Sequence, residues 1–209
     1  MSPRQYVMNK REASVARTRQ RIVEATLELH GRKGIFGTSW QDIAAAADVS
    51  IGTVYKHFPS LDELVPACGE LLMERIFPPS PEDLPAILGD ALDPRERLRR
   101  VVRELFSFFE RGGKYLESDP RERELESMRD FEDQLRSMVS LFVGEALRTM
   151  EPSEADLAVV SALADLPSFQ AMAIRGVPLE DAVAVAVGGS MGWLQKAADE
   201  DDVKQGRKS

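Results

Sequence analysis

A chain of 209 residues with 43% apolar side chains and a net charge of −8 can fill a core, which excludes a disordered polypeptide. No apolar run approaches the roughly 18 residues a membrane span needs, and the opening MSPRQYVMNKREASVARTRQR offers no apolar stretch suited to a signal peptide. A single cysteine, Cys68, excludes an intrachain disulfide framework, so the sequence predicts a cytoplasmic protein without a membrane segment.

The charge is unevenly placed. Residues 1–60 hold nine basic and five acidic side chains, a net of +4, and the remainder nets −12. A basic head on an acidic body suits a protein whose head approaches phosphates.

In chain order the punctuation is helical throughout, with no sustained period-two alternation. Residues 1–13 read as a flexible basic arm. A first helix is predicted over Ser14–Lys33, with Ile22, Val23 and Leu27 at helical spacing and Gly34 as its stop. Ile35 and Phe36 follow as expected core plugs. Thr38 with Gln41 fits a capping box for a short second helix ending near Ala46. Asp48 suits a left-handed turn, and Ser50 caps a third helix, Ile51–Phe58. Ser60 with Glu63 reads as a further capping box, opening a helix over Leu61–Ile76. The prolines of Phe77–Pro81 interrupt the chain. Beyond them, Asp93-Pro94 opens a helix that ends at Gly112-Gly113. Asp119-Pro120 opens a long helix carrying Leu125, Met128, Phe131, Leu135 and Phe142. One helix, bent at Pro167, is predicted over Ser153–Arg175, and another from Pro178 to Ala198. The predicted domains are a helix-turn-helix at 14–60, a connecting helix at 61–77, a ligand-binding and dimerisation domain at 78–199 and a disordered tail at 200–209. The predicted fold class is all-α, with an N-terminal three-helix DNA-binding domain and a C-terminal helical bundle.

Thr38–Phe58 carries the chemistry. Two short helices joined by Ala47-Asp48-Val49-Ser50 have the layout in which the second helix enters the DNA major groove. Ile43, Ala44, Ala47, Val49, Val54 and Phe58 are predicted to face inward. Ile51, Gly52, Thr53, Tyr55, Lys56 and His57 are predicted to face outward. Ser50, Thr53 and Tyr55 offer hydroxyls to phosphate oxygens, and Lys56 offers charge to a phosphate or to guanine. Thr38 and Ser39 lie at a helix N-terminus that favours a phosphate. Ile51 and Thr53 suit a thymine methyl. Gly52 is hard to explain inside a helix unless something must approach the backbone closely. His57 is read either as a phosphate donor or as a satisfied interfacial histidine.

These residues resemble the TetR family of bacterial transcription regulators. The resemblance lies in Thr38-Ser39-Trp40-Gln41-Asp42-Ile43-Ala44, Ala47-Asp48-Val49-Ser50, Gly52-Thr53-Val54-Tyr55-Lys56-His57-Phe58 and Ser60-Leu61-Asp62-Glu63-Leu64, with Arg19, Ile22, Ala25, Gly34 and Phe36 upstream. Asp48 stands where that family has glycine, and Leu61 where it has lysine, which shifts phosphate binding onto Arg17, Arg19 and Lys56. The resemblance implies a homodimer on a palindromic operator in double-stranded DNA and, most often, repression relieved by a small-molecule effector. It also implies a four-helix dimer interface built from the last two helices, where Ala182, Ala184, Ala186, Gly188, Gly189, Ser190 and Gly192 cluster. Packing within one subunit is the less favoured reading of those small residues.

An effector cavity would be apolar with few polar anchors. Its candidates are Phe106, Phe109, Tyr115, Met128, Phe131, Phe142, Phe169 and Trp193, with Arg103 as anchor; each is also explained as plain core. A regulator of the same fold without an effector, answering to a protein partner or acting constitutively, stays open. A helical enzyme has little to recommend it: His30 and His57 lie apart from any cluster with metal spacing, no phosphate loop or nucleophile elbow appears, and paired carboxylates such as Glu122 and Glu124 read as solvated helix face. No catalytic residue, metal or cofactor is predicted.

Overall fold

The computed structural model describes residues 3–117 and 119–206. It is built of helices and falls into two compact units, Met1–Phe77 with Gly112–Phe131, and Pro78–Arg111 with Glu132–Ser209.

In the N-terminal unit, α1 spans Pro3–Lys33, α2 Trp40–Ala46, α3 Ile51–His57 and α4 Leu61–Ile76. Helix α1 packs on α2 and α4, and α2 packs on α3. Ile22, Val23, Leu27, Ile43, Val54 and Phe58 are buried between them. Helix α1 begins at Pro3, so the expected arm over 1–13 is helical from residue 3 onward; residues 1 and 2 lie outside the described residues. Proline suits a first helical turn, and no glycine or proline interrupts residues 4–30. Ile35 is buried as expected, but Phe36 is exposed. Gly34, at φ +74°, turns the chain so that only the first of the pair enters the core.

The caps differ from expectation at two positions. Ser39, not Thr38, caps α2: its hydroxyl accepts from the Asp42 N–H at 3.1 Å, while the Asp42 carboxylate accepts from the Ser39 N–H at 3.2 Å. The Thr38 hydroxyl instead donates back to the Gly34 carbonyl at 2.8 Å. Ser60 occupies the N-cap of α4 but makes no side-chain cap bond. Cys68 lies buried in α4, where desolvation pushes its thiol up to about 12. That leaves it a small apolar residue, as expected.

The segment 112–131 is expected in the C-terminal domain but groups with the N-terminal unit. Glu122 is only 3% exposed, and its carboxylate accepts from the Ile35 N–H at 2.6 Å and from the Asp119 N–H at 3.3 Å. The Tyr115 hydroxyl donates to Glu28 at 3.0 Å. Helix α6 spans Pro94–Gly112; instead of one long helix from Asp119, a 3₁₀ turn then spans Pro120–Glu124 and Leu125 is extended before α7 opens, over Glu126–Leu147. The Arg129 guanidinium donates to the carbonyls of Arg123 and Glu124, at 2.7 and 3.0 Å, supplying partners that a continuous helix would otherwise provide.

In the C-terminal unit a 3₁₀ turn at Pro81–Asp83, capped by Ser80, leads into α5, Leu84–Leu88. Asp93 caps α6 by accepting from the Glu96 N–H at 3.1 Å. Leu98, Val102, Leu105 and Phe106 of α6 are fully buried, as are Phe142 and Val143 of α7. The expected bent helix is two helices, α8 at Glu154–Ala164 and α9 at Leu166–Ala173. Asp165 is extended between them and caps α9 through the Leu166 N–H at 2.7 Å. Pro167 cannot donate into the preceding turn, so it ends α8 rather than bending it. Helix α10, Leu179–Gly206, packs on α8 and α9. Of the tail expected at 200–209, residues 200–206 are the end of α10, because no proline or glycine precedes Gly206 there; residues 207–209 lie outside the described residues.

His30, near the end of α1, has a buried Nε2 without a hydrogen-bond partner, and burial pushes its imidazole down from 6.5 to about 4. Between those values the unfolded chain binds a proton that the folded protein refuses, so stability falls as pH drops from 6.5 to 4. The loss is at most about 3 kcal/mol. Urea unfolding at several pH values should therefore show a flatter dependence for His30→Gln across that window. An equal slope for both proteins would mean that the folded imidazole accepts the proton freely.

Candidate nucleic-acid interface

Helices α2 and α3 are held together by small apolar contacts. Ile43, Ala44 and Ala47 are buried beneath Val54 and Phe58, and Val49 is half-buried. The turn between the helices is closed by the Val49 N–H, which donates to the Ala44 carbonyl at 3.0 Å. Asp48 takes φ +52°, the left-handed geometry expected of it. Ser50 caps α3, its hydroxyl accepting from the Thr53 N–H at 3.1 Å.

This packing turns one face of α3 outward. Ile51 and Tyr55 are 38% and 45% exposed; Gly52 and Lys56 are exposed, and Thr53 and His57 are half-buried. A Cβ placed on Gly52 would meet only the Ser50 hydroxyl, at 3.9 Å. The protein's own packing therefore does not call for glycine there.

The hydroxyls of this face divide into two groups. Those of Ser50 and Thr53 lie 2.8 Å apart and satisfy each other. Thr38 and Ser39 spend theirs on the turn and the cap, Ser39 donating to Asp42 at 2.9 Å. The Ser39 bonds, followed by Lys33 at 3.3 Å, hold the Asp42 carboxyl below the usual range. The Tyr55 hydroxyl has no partner among the described residues, which leaves it and the Lys56 ammonium as the polar groups of α3 most open to a ligand. Behind α3, the Arg19 guanidinium lies 4.7 Å above the Phe58 ring, a cation–π contact that places a positive charge beside the C-terminal end of α3. Arg17 is exposed two residues, about half a turn, earlier on α1.

Sequence reasoning assigned no role to Trp40 and read Glu122 with Glu124 as solvated helix face; Glu122 is instead buried. Trp40 stacks on Tyr55 with ring centroids 4.9 Å apart. An aromatic residue directly after a helix cap, opposite a second aromatic in the next short helix, was the available signal. Glu122 lies 87 positions from Ile35, and nothing local announces that contact.

The effector candidates separate. Phe106, Phe109 and Phe142 are sealed from solvent and Phe169 is nearly so. Phe106 lies 5.1 Å from Phe169 and 6.3 Å from Phe109, ring centre to ring centre, as interlocked core. Arg103 is exposed and paired with Glu180 at 2.6 Å. Trp193 is exposed and donates to Asp156 at 2.9 Å. Tyr115, Met128 and Phe131 belong to the N-terminal unit. A cleft of about 190 Å³ in that unit is lined by polar groups, among them His30, Lys33, Lys114, Glu117, Asp119 and Glu122. Among the described residues, no group of three or more His, Cys, Asp or Glu side chains is arranged to hold a metal ion, and no helix is long and apolar enough to cross a membrane.

Residues 22–68 match the family described as bacterial regulatory proteins, tetR family. The HTH-type transcriptional repressor KstR of Rhodococcus jostii (strain RHA1) is 27% identical over 150 residues, covering 71% of this chain and 68% of that protein. A TetR-like transcriptional regulator from Rhodococcus sp. RHA1 superposes with a TM-score of 0.59 at 22% identity, covering 85% of this chain and 96% of that one. The multidrug binding protein EbrR, solved with imidazole, superposes with a TM-score of 0.51 at 22% identity, covering 80% of this chain and 92% of that one.

Proposed function

Because the chain belongs, through its N-terminal helix-turn-helix, to the tetR family of bacterial regulatory proteins, we propose that it is a cytoplasmic transcriptional repressor that binds a palindromic operator as a homodimer and leaves it when a small apolar or amphipathic effector binds. The family makes it a DNA-binding regulator and not an enzyme. The observation that carries the reading is the outward face of α3, which presents Ile51, Gly52, Tyr55 and Lys56 to solvent while Val54 and Phe58 anchor its back.

Each side chain then has a physical task. Lys56 and Arg17 neutralise phosphates, and Arg19 does so while packed on Phe58. Tyr55 and His57 donate to phosphate oxygens. Ile51 and the Thr53 methyl read thymine methyls. Ser50, Thr53, Thr38 and Ser39, whose hydroxyls serve the caps and turn, contribute by holding α2 and α3 in place and through the backbone they order. Gly52 lets the backbone of α3 approach DNA.

Dimerisation is supported by the outward sides of α8 and α10. Ala155, Ala158 and Ala162 of α8 are exposed, as are Ala184, Gly188 and Gly192 of α10. Nothing lies within 4 Å of a Cβ built on Gly188 or Gly192. Two such small-residue faces suit close packing against a second copy. Repression is supported by the likeness to the repressor KstR, and a small effector by the fold shared with EbrR, which holds imidazole. The dense packing of Phe106, Phe109 and Phe169 favours the second reading, a regulator of this fold with no small-molecule effector.

Selection of bound duplexes from a random library tests the reading. A palindromic consensus is the expected product, and failure to enrich any duplex would sink it. On the selected operator, log affinity should fall against log salt with a slope of about −0.9 per neutralised phosphate. Lys56→Ala should flatten that slope by about one unit; a slope the same as that of the unmodified protein would remove Lys56 from the phosphate contacts. A thermal-shift screen, followed by operator release, separates the two readings, since a ligand shifts the equilibrium only by its differential affinity for the two states.

A further inference from the structure

Trp40 is the first residue of α2, and Tyr55 stands on the outward face of α3. Their ring centroids are 4.9 Å apart and their planes tilt by 33°, within the range of favourable aromatic pairs. The contact bridges the two helices on the solvent side, whereas Ile43, Val54 and Phe58 join them on the buried side. Tyr55 remains 45% exposed in spite of the stack. Neither the Tyr55 hydroxyl nor the Trp40 indole N–H bonds to any other described residue, and the indole nitrogen is not among the buried unpartnered atoms. Two side chains with neutral donors thus share one ring contact at the rim of the surface read as DNA-facing.

An exposed tyrosine on a short helix samples several rotamers, and ordering it at an interface costs affinity. A stacked indole restricts the phenol before DNA arrives. Trp40 packing against Tyr55 therefore offers a preorganised hydroxyl, and its own N–H, a donor only, adds a second point of attachment to the same stretch of backbone.

Resting on the DNA-binding reading above, we propose that Trp40 and Tyr55 form a preorganised two-donor clamp on the operator's phosphate backbone, with Trp40 acting both as positioning residue for Tyr55 and as a donor in its own right. The clamp adds affinity without adding sequence preference, because phosphate contacts carry no base information. It also leaves the salt slope unchanged, because neither side chain is charged.

The test is a double-mutant cycle on operator binding with Tyr55→Phe, Trp40→Phe, Trp40→Leu and the double variants, measured at several salt concentrations and on operators with single base changes. Tyr55→Phe should weaken binding about tenfold, the scale of a lost bond to a charged acceptor. Trp40→Leu should cost at least as much, and adding Tyr55→Phe to it should cost less than about threefold more, since coupled residues are not additive. Trp40→Phe keeps a ring for the stack but lacks the N–H, so it should still lose up to about tenfold while adding Tyr55→Phe to it costs the full tenfold again, which also guards against misreading an unfolded Trp40→Leu. All losses should be uniform across operator variants and leave the salt slope unaltered. Multiplicative effects of the two single variants, full binding by Trp40→Leu, or losses that depend on base identity would each overturn the clamp while leaving the regulator reading intact. If the unmodified protein binds no duplex, the regulator reading falls first and the clamp with it.

Discussion

Alanine in place of Phe106 should destabilise the protein by about 3–5 kcal/mol, the usual cost of truncating a sealed aromatic side chain. The ring has no solvent exposure and meets Phe109 and Phe169 across tilted contacts. Removing it leaves a void that neighbours on α6 and α9 cannot fill without leaving their rotamers. Urea unfolding measures the loss directly. The result also decides what the aromatic cluster is for. A stability close to that of the unmodified protein, together with a lost response to an effector, would make the site a ready-formed pocket that can collapse. A large loss of stability makes it core, and any effector must then enter by displacing packed side chains.

Gly52→Ala should move two properties in opposite directions. Helix α3 gains up to about 1 kcal/mol from the better helix former, because the new methyl meets nothing closer than the Ser50 hydroxyl at 3.9 Å. Operator affinity should fall by about tenfold, or 1.4 kcal/mol, as the methyl holds the backbone away from DNA. Few substitutions separate folding from binding so cleanly, since the same atom is harmless to the protein and obstructive to the ligand. A variant that is more stable and binds DNA with full affinity would show that α3 does not approach the duplex at this position.

The parts of the molecule legible in the sequence are those fixed by local chemistry. The cap at Ser50 follows from a hydroxyl acting on a backbone group three positions away, the left-handed Asp48 from the tolerance of aspartate for that geometry, and the limits of α4 from the prolines beyond its ends, Pro59 and Pro78. The outward face of α3 follows from helical spacing. What escaped the sequence was set by competition or distance. Thr38 and Ser39 are both good caps, and Thr38 is drawn off by the Gly34 carbonyl. Asp119-Pro120 is a sound helix start, yet the turn it begins stops where Arg129 takes up the carbonyls of Arg123 and Glu124. Pro167 can bend a helix or end it, and the cap supplied by Asp165 settles the choice. The role of residues 112–131 rests on Glu122 meeting Ile35, a pairing that no window along the chain contains. The effector candidates were chosen as aromatic residues at helical spacing, a pattern that core and pocket share.

The path of the polypeptide has a practical consequence. The chain passes from one unit to the other after Phe77, after Arg111 and again after Phe131, so a single protease cut at any of these borders leaves the two halves threaded to each other. A fragment ending at Phe77 would keep every residue of α3 yet lack the carboxylate that receives the Ile35 amide and the phenol that reaches Glu28. The head is thus completed by sequence borrowed from far downstream, and its excision as a free-standing module calls for grafting residues 112–131 back onto it.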